Sequence, residues 1–452
     1  MTQKKIPTVS FLKFLKHASN ILKNPLPFHH NNFEKHGDTF RLIIGPGKSV
    51  IFSRDAYLAE YVLQKNQKNY TKSPIQTKDL VKYVGRGLLT AEGEHWKKQR
   101  KLIQPAFHKK QLTLLLDSIH RAIITELDKI ETDTEIDVFP IFNDLAFQTV
   151  VKSLFSSAVG DKDIARLQYI TEAAQKMLVR ELRQPFLSLW FKYGGEIKKH
   201  TDLTHEARII LKKLVKARKD SGITDDDLLD MLLDARYEDG NEMDEEQLID
   251  EILILFTAGH ETTSNALTFA AQLLARNPDS QQKIFEEVVH AKKESNSLME
   301  FIQSCSYTKK VIEETMRLYP PAYFIDRINK EEDEFEGVLI PKGSNLLFSF
   351  HEIHKHKSHW EDPEKFDPER FSNSDPYLHT PFYAPFGAGP RKCIGNNFAM
   401  FEMILAVAEM VGTYKIASKT TPIEILPMIT LKPKNAILNF QKRVYVNSSF
   451  SR

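Results

Sequence analysis

One cysteine stands in a short loop that is suited to holding a thiolate. Residues 386–395 read FGAGPRKCIG, and an apolar helical run follows from about Asn397 to Val411. Glycines and a proline just before a helix form a tight turn that lifts one side chain clear of the backbone. The helix dipole and the N–H groups at the helix start favour a thiolate at Cys393 over a thiol. Phe386 can pack on the sulfur side of a planar ligand, and Arg391 can reach an anionic group on that ligand.

The same loop has two other interpretations. On the loop chemistry alone, a turn that carries a cysteine by chance, or as a redox-sensitive thiol, stays open as an interpretation. A dinucleotide-binding turn is excluded, because Gly387 and Gly389 begin a G-x-G but Lys392 occupies the place of the third glycine. No βαβ unit surrounds the loop either.

A second group of chemical residues lies within a long apolar run. Asp244 followed by Gln247 resembles a capping box, apolar residues continue to Leu274, and Asn277-Pro278 ends the pattern. A helix of roughly 30 residues is about 45 Å long, so it must cross the interior of the domain.

The sequence AGHETT occupies residues 258–263 in the middle of this helix. Glu261 and Thr262 are costly in an apolar helix unless they are hydrogen-bonded or used in chemistry. Gly259 costs about 1 kcal/mol relative to alanine, which indicates a close approach or a local opening of the helix. A zinc-binding H-E-x-x-H helix is excluded, because position 264 is serine.

Two further pairs have spacings at which their side chains can act together. Glu314 and Arg317 are three residues apart, so they face the same side of a helix and can form a bidentate ion pair. Trp96 and Arg100 are four apart, so one helix face presents two donors to a carboxylate. Taken in isolation, the second segment is more typical of a solvated basic helix.

The elements that must position these residues are mostly helical. Helical periodicity extends from about Asp55 to Asn296, after a predicted hairpin over Thr39–Phe52 with its turn at Gly45-Pro46-Gly47. Strands are predicted at residues 337–340 and 345–350, and a C-terminal hairpin over residues 423–440 centred on Lys434-Asn435. His354, His356 and His359 are expected on a polar surface rather than at a metal.

Composition sets the class of protein and its compartment. No linker divides the 452 residues, so we expect a single domain over residues 1–452, with a β-containing lobe from both ends and a helical lobe in the middle. A net charge of +2 excludes a global attraction to nucleic acid. Two distant cysteines favour a reducing compartment. The lysine-interrupted segment at Phe11 predicts an amphipathic first helix, with peripheral membrane contact as the alternative. It is too short and too charged for a membrane span or a signal peptide, so we expect a soluble, cytoplasmic protein without a transmembrane anchor.

The loop matches a known family signature at every fixed position. Phe386, Gly389, Arg391, Cys393 and Gly395 resemble the haem-binding F-x-x-G-x-R-x-C-x-G of the cytochrome P450 superfamily, and other landmarks follow in the family's order over most of the chain. The segment at 258–263 resembles the oxygen-binding A-G-x-[D/E]-T-[T/S]. Residues 314–317 resemble E-x-x-R, residues 368–371 resemble P-E-R-F, and residues 96–100 resemble the propionate-binding W-x-x-x-R.

The resemblance implies a mainly α fold with small β-sheets and a long central helix over a haem b whose axial ligand is the Cys393 thiolate. Thr262 is expected to hydrogen-bond dioxygen, and Glu261 to relay protons. The charges of Glu314, Arg317 and Arg370 are expected to form a structural ion network. The implied contacts of the cofactor are Trp96, Arg100, Ala258, Arg327, Phe386, Arg391 and Cys393.

The implied reaction is monooxygenation of a lipophilic molecule, because a thiolate ligand favours O–O cleavage. No flavin or iron–sulfur segment is visible, so a separate ferredoxin- or flavodoxin-type protein must supply electrons. The candidate docking surface for it is a basic face, with an ordinary solvated surface as the alternative; its residues are Lys97, Lys98, Lys101, Arg391 and Lys392. The resemblance implies that apolar or aromatic residues line the substrate pocket, which suits a lipophilic molecule. We expect a fatty acid or related lipid, with a carotenoid or terpenoid as the second candidate. The implied pocket residues are Tyr83, Phe256, Phe324 and Ile429. A peroxide-using enzyme, a haem sensor or carrier, and a haem-free thiol protein are the alternatives.

Overall fold

The computed structural model describes residues 4–156, 159–372, 380–419 and 422–443. These residues are mainly helical with small sheets, which confirms the predicted fold class. The helices are α1 (Phe11–Lys23), α2 (Leu26–His36), α3 (Ala56–Glu60), α4 (Val81–Val84), α5 (Gly93–Ile103), α6 (Lys109–Leu127), α7 (Phe139–Phe155), α8 (Asp161–Arg183), α9 (Ser188–Tyr193), α10 (Glu196–Ser221), α11 (Leu228–Asp234), α12 (Glu245–Arg276), α13 (Pro278–Glu294), α14 (Leu298–Ser304), α15 (Ser306–Leu318), α16 (Phe350–Ile353) and α17 (Asn396–Thr413).

The strands are short and belong to four small sheets. They are β1 (Thr8–Val9), β2 (Thr39–Gly45), β3 (Lys48–Ser53), β4 (Tyr70–Thr71), β5 (Glu135–Asp137), β6 (Phe324–Asn329), β7 (Asp333–Phe335), β8 (Val338–Ile340), β9 (Asn345–Ser349), β10 (Tyr414–Ala417), β11 (Glu424–Pro427), β12 (Leu431–Lys434) and β13 (Ile437–Lys442).

The chain forms two compact units. The first comprises residues 1–75, 313–393 and 425–432, and the second comprises residues 76–312, 394–424 and 433–452. The first unit holds a six-stranded sheet in the order β1-β2-β3-β9-β6-β4. Its β2–β3 hairpin confirms the predicted hairpin and turn, and β3 then pairs in parallel with β9, with Val50 opposite Asn345. Alternating apolar residues of these strands, such as Ile51 and Leu346, are buried beneath the sheet.

The second unit is built around α12. Its first turn is capped as predicted, because the Asp244 side chain accepts a hydrogen bond from the Gln247 N–H at 2.8 Å. The helix ends at Arg276, directly before Asn277-Pro278. It packs against α7 and α17, and most of its residues are buried. The apolar pattern thus reflects helix contacts on several sides of α12.

Two predictions about the C-terminal half are wrong. The chain does not reverse at Lys434-Asn435; it reverses between β11 and β12, where the Met428 N–H donates to the Thr430 carbonyl at 2.8 Å. Asn435 instead has a φ of +53° and redirects the chain into β13, which pairs with β10 and β5. His354 does not lie on the surface; it is buried, and its Nε2 accepts from the Ala384 N–H at 3.0 Å.

Candidate active site

The cysteine loop in the first unit is shaped by two glycines with left-handed backbone. Gly387 and Gly389 have φ values of +72° and +70°, which side chains rarely adopt. A Cβ on Gly389 would also lie 2.0 Å from the carbonyl oxygen of Leu63, so only glycine fits there. The loop closes through the Cys393 N–H, which donates to the Phe386 carbonyl at 2.9 Å.

This loop leaves the thiol of Cys393 accessible to a ligand. Cys393 is exposed, and α17 starts three residues later, at Asn396. A sulfur placed just ahead of a helix start is stabilised as the thiolate, which is the form that binds metals. Cys305 is the opposite case, because it is buried and burial raises the pKa of its thiol. Cys393 is therefore the cysteine that is available to bind a metal, whereas Cys305 is a core residue.

The predicted ion network is assembled in the first unit and is fully buried at its centre. Arg317 donates to both carboxylate oxygens of Glu314, from Nε at 2.6 Å and from Nη2 at 2.9 Å. The Arg370 Nε lies 3.6 Å from the same carboxylate. The network is distant from the cysteine loop in sequence. The segment just before the loop nevertheless contacts α15, because the Tyr383 hydroxyl donates to the Glu313 carbonyl at 3.0 Å.

In the second unit, one stripe of α12 is left open. Leu255, Gly259 and Thr262 are only partly buried and Ala258 is exposed, whereas the helix around them is buried. These positions are three or four residues apart and so share one face. The Thr262 hydroxyl donates to the Ala258 carbonyl at 2.8 Å. A Cβ on Gly259 would lie 3.0 Å from a methyl of Val150 on α7, so this glycine permits close helix packing.

The two residues before Thr262 are buried. The His260 ring nitrogen Nε2 lies 2.8 Å from Asn143 Oδ1, and its ring packs on Phe147, so this histidine belongs to the contact with α7. Glu261 is buried as well, although it is a carboxylic acid in an apolar helix. Within the described ranges, no group of three or more His, Cys, Asp and Glu side chains is placed to hold a metal ion.

One buried acid that the sequence patterns did not predict as functional, Glu402, lies on α17 of the second unit. Its side chain is hydrogen-bonded to the hydroxyl of Thr149 on α7, and the hydroxyl of Thr263 on α12 also interacts with it. The pKa of Glu402 is raised to about 8, because the effect of burial outweighs the lowering by its hydrogen bonds to the two hydroxyls. Its Thr263 partner is the neighbour of Thr262. A carboxyl group within the apolar run after Cys393 was the available signal, the same one that singled out Glu261.

The predicted cofactor contacts are divided between the units. Trp96 is buried on α5, and the Arg100 Nε donates to Gln104 Oε1 at 3.0 Å in the second unit. In the first unit Arg327 is buried on β6, and its Nη1 donates to the Asp326 carbonyl at 2.7 Å. Arg391 lies in the turn that precedes Cys393.

The four predicted substrate residues have different surroundings. The hydroxyl of Tyr83 donates to Glu181, which raises the pKa of this buried tyrosine further than burial alone. Phe256 is fully buried against Phe147 of α7, on the face of α12 opposite Ala258, a position more typical of a core residue. Phe324 of β6 lies in the first unit, against the ring of His29 at 5.3 Å, and Ile429 is exposed in the β11–β12 turn.

The residues present fit a haem. An exposed, soft sulfur donor on a loop with two constrained glycines can ligate iron, and the partly buried Phe386 beside it offers an aromatic surface to a macrocycle. The open stripe of α12 at Ala258 and Thr262 offers a small residue and a hydroxyl, which suit a large planar group with a small bound molecule. Four cationic or indole donors at Trp96, Arg100, Arg327 and Arg391 suit its two carboxylates.

Comparisons with known proteins agree with this assignment. A family model described as Cytochrome P450 matches residues 3–440. The probable cytochrome P450 4s3 of Drosophila melanogaster is 30% identical over 413 residues, which cover 84% of this chain and 80% of that protein. The pentalenene oxygenase of Streptomyces avermitilis is 26% identical over 401 residues, which cover 88% of each chain.

The fold comparison gives the same result. The solved structure described as retinoic acid bound cyanobacterial CYP120A1 matches with a TM-score of 0.84 and 25% sequence identity, covering 98% of this chain and 100% of that chain. Sequence and fold therefore agree over nearly the whole chain. The chain belongs to the cytochrome P450 family of haem-thiolate monooxygenases.

Proposed function

We propose that this chain inserts one atom of O2 into a lipophilic substrate, with Cys393 as the axial ligand of haem b. The observation that carries this proposal is the exposed Cys393 thiol on a loop in which Gly389 leaves no room for a side chain. The whole chain, residues 1–452, would act as one catalytic domain to which both units contribute. Since the sequence has only two cysteines and they are far apart, a reducing compartment such as the cytoplasm suits the enzyme.

When bound, the haem supplies the activation of O2, so that with two electrons and two protons one oxygen atom enters the substrate and the other leaves as water. Cys393 would hold the iron, and Trp96, Arg100, Arg327 and Arg391 would hold the propionates. The hydroxyl of Thr262 donates to the Ala258 carbonyl, so its oxygen keeps lone pairs with which it can accept a proton. Glu261, the adjacent residue, would deliver protons to Thr262.

The intact Glu261–Thr262 pair supports a monooxygenase over the alternatives. A peroxide-using enzyme receives its oxidant already protonated, and a sensor or carrier transfers no protons to oxygen. Neither function needs an acid next to an alcohol, and the acid is buried in an apolar helix, where it is costly.

For the substrate, a fatty acid or related lipid is the first candidate and a carotenoid or terpenoid the second. The pentalenene oxygenase and the retinoic acid bound structure support the second class, because both names refer to isoprenoid molecules. Spectral titration of the purified protein with a fatty acid, the matching fatty alcohol and retinoic acid separates the classes. A shift of the haem band with the acids but not the alcohol would indicate carboxylate recognition, and a shift with retinoic acid alone would favour isoprenoids.

Electrons would come from a separate ferredoxin- or flavodoxin-type donor. The predicted basic face carries less net positive charge than its lysines alone would give. Lys97 pairs with Glu94 at 2.6 Å, and Lys101 pairs with Glu238. If an acidic donor binds there, exchanging Lys98 for glutamate should raise the donor concentration needed for half-maximal turnover, with a weaker effect at high ionic strength. An unchanged donor requirement would place docking elsewhere.

The absorption spectrum of the reduced protein under carbon monoxide tests the central assignment. The parent protein should show the strongly red-shifted band of thiolate ligation, and Cys393→His should lose that band and nearly all oxygenation. Cys305→Ala is the matched control, since this thiol is buried, and it should keep both. A Cys393→His protein that retains the band would remove Cys393 from the iron.

A further inference from the structure

The first helix of the first unit is attached to the protein along one side only. None of the residues of α1 is buried. Phe14 and Ile21 pack on the cluster formed by β2, β3 and α2, and His17 lies 5.6 Å from the ring of Phe28. Lys13 adds one hydrogen bond, from Nζ to Asn32 Oδ1 at 2.8 Å. These contacts fix which face of α1 points away from the protein.

The outward face of α1 carries a stripe of leucines. Leu12, Leu15 and Leu22 are 78%, 49% and 40% exposed. At about 100° per residue they lie within roughly 80° of one another around the helix axis. The exposed Lys16 and Lys23 border the same stripe, within about 40° of Leu12. The outward face of α1 therefore consists of an apolar strip with lysines along its edge.

The charge around this face has one sign. Residues 4–33 include five lysines and no aspartate or glutamate. The first acids after them are already engaged, since Arg54 binds both Glu34 and Asp38 at 2.8 Å. Burial and then repulsion from Lys35 lower the pKa of Lys13, as expected where cations crowd one another. Anionic groups would therefore meet a run of lysines uninterrupted by acidic residues in this segment.

We propose that α1 is a docking surface for an anionic phospholipid membrane, on which it lies parallel to the surface. The leucines would enter the boundary between headgroups and acyl chains, and the lysines would extend to the lipid phosphates. The described helices include none that is long and apolar enough to cross a membrane.

A lipid surface fits this face better than a protein partner does. Protein interfaces are enriched in Tyr, Trp and Arg and depleted in lysine, whereas interfacial helices combine leucine with lysine. A second copy of the chain is disfavoured for a further reason, because a symmetric contact through α1 would set Lys16 and Lys23 against the same charges of the partner. This inference does not depend on the proposed reaction, since it concerns no residue assigned to the haem or the substrate.

Vesicle sedimentation with the full chain tests the proposal. We expect binding to vesicles that contain phosphatidylglycerol, little binding to pure phosphatidylcholine, and weaker binding as salt increases. Leu12→Glu with Leu15→Glu should lower the partition coefficient about tenfold or more, and Lys16→Glu with Lys23→Glu by a similar factor. All four side chains are exposed, so the variants should fold, which circular dichroism checks.

Leu114→Glu is the matched control, because this leucine is 54% exposed on α6 of the second unit. It should bind vesicles as the parent does. Three results would overturn the proposal: no binding by the parent, equal binding to both lipids, or equal binding by the α1 variants and the control. Sedimentation velocity without lipid provides a fourth, since self-association that the leucine variant abolishes would assign the face to a second copy.

Discussion

Replacing Arg317 with alanine removes the cation that neutralises a fully buried carboxylate. Both side chains of the Glu314–Arg317 pair are 0% exposed, so Glu314 lies away from bulk water and depends on its protein partners. Glu314 would keep only one strong donor, the Asp367 N–H at 2.9 Å, with Arg370 farther away at 3.6 Å. The arginine also donates to three backbone carbonyls, those of His354, Pro363 and Lys365.

The expected cost follows from this geometry. Breaking one side of a buried ion pair typically costs about 3–5 kcal/mol, because the remaining charge stays buried without compensation. Against a total stability of about 5–15 kcal/mol, Arg317→Ala should remove about a fifth or more of the free energy of unfolding. Burial already raises the pKa of Glu314 and Arg317 opposes this, so loss of the arginine should raise that pKa further. The cost should therefore shrink as the pH falls and the carboxylate is protonated.

Urea unfolding followed by circular dichroism measures the effect. Lys342→Ala is the control, since its pair with Glu331 is exposed and should contribute about 0–1 kcal/mol. Removing both charges, with Glu314→Gln and Arg317→Met, should cost less than Arg317→Ala alone. If Arg317→Ala is no more destabilising than Lys342→Ala, or if its cost does not depend on pH, the buried pair does not act as described.

Three more outcomes test the site. Thr262→Ala should still bind haem and substrate but divert electrons to hydrogen peroxide, with a loss of about 10²–10⁴-fold in productive rate and partial rescue by added peroxide; product formed per reducing equivalent measures this, and unchanged coupling would refute the role. The folded-state pKa of Glu402 is raised to about 8, so its contribution to stability is complete at acidic pH and is lost as the pH rises through that value. Urea unfolding at about pH 5 and about pH 9 should therefore show less pH dependence in Glu402→Gln than in the parent, and equal dependence would mean that Glu402 is ionised in the fold. Gly389→Ala should lower the yield of haem-bound protein, because its Cβ would collide with the Leu63 carbonyl, whereas Gly37→Ala, which also has a positive φ but open space, is the control for backbone strain alone.

Local signals in the sequence determined much of the fold and of the candidate site. The cap at Asp244 and the stop at Asn277-Pro278 correctly set the ends of α12, because caps and prolines act through hydrogen bonds within a few residues. The turn at Gly45-Pro46-Gly47 set the first hairpin for the same reason. The cysteine loop was identified with its two essential glycines, whose requirement comes from their own backbone angles.

Only the tertiary structure decided what depends on distant segments. The pairing of β3 with β9 joins residues nearly 300 positions apart, and the true C-terminal hairpin differs from the predicted one because β13 finds its partners in β10 and β5. His354 was expected at the surface since histidine is polar, but an N–H from Ala384 satisfies it in the interior. Glu402 escaped notice because nothing near it in sequence shows that Thr149 would receive it. A polar residue's environment is set by the groups that the fold brings to it, and those groups lie outside any local pattern.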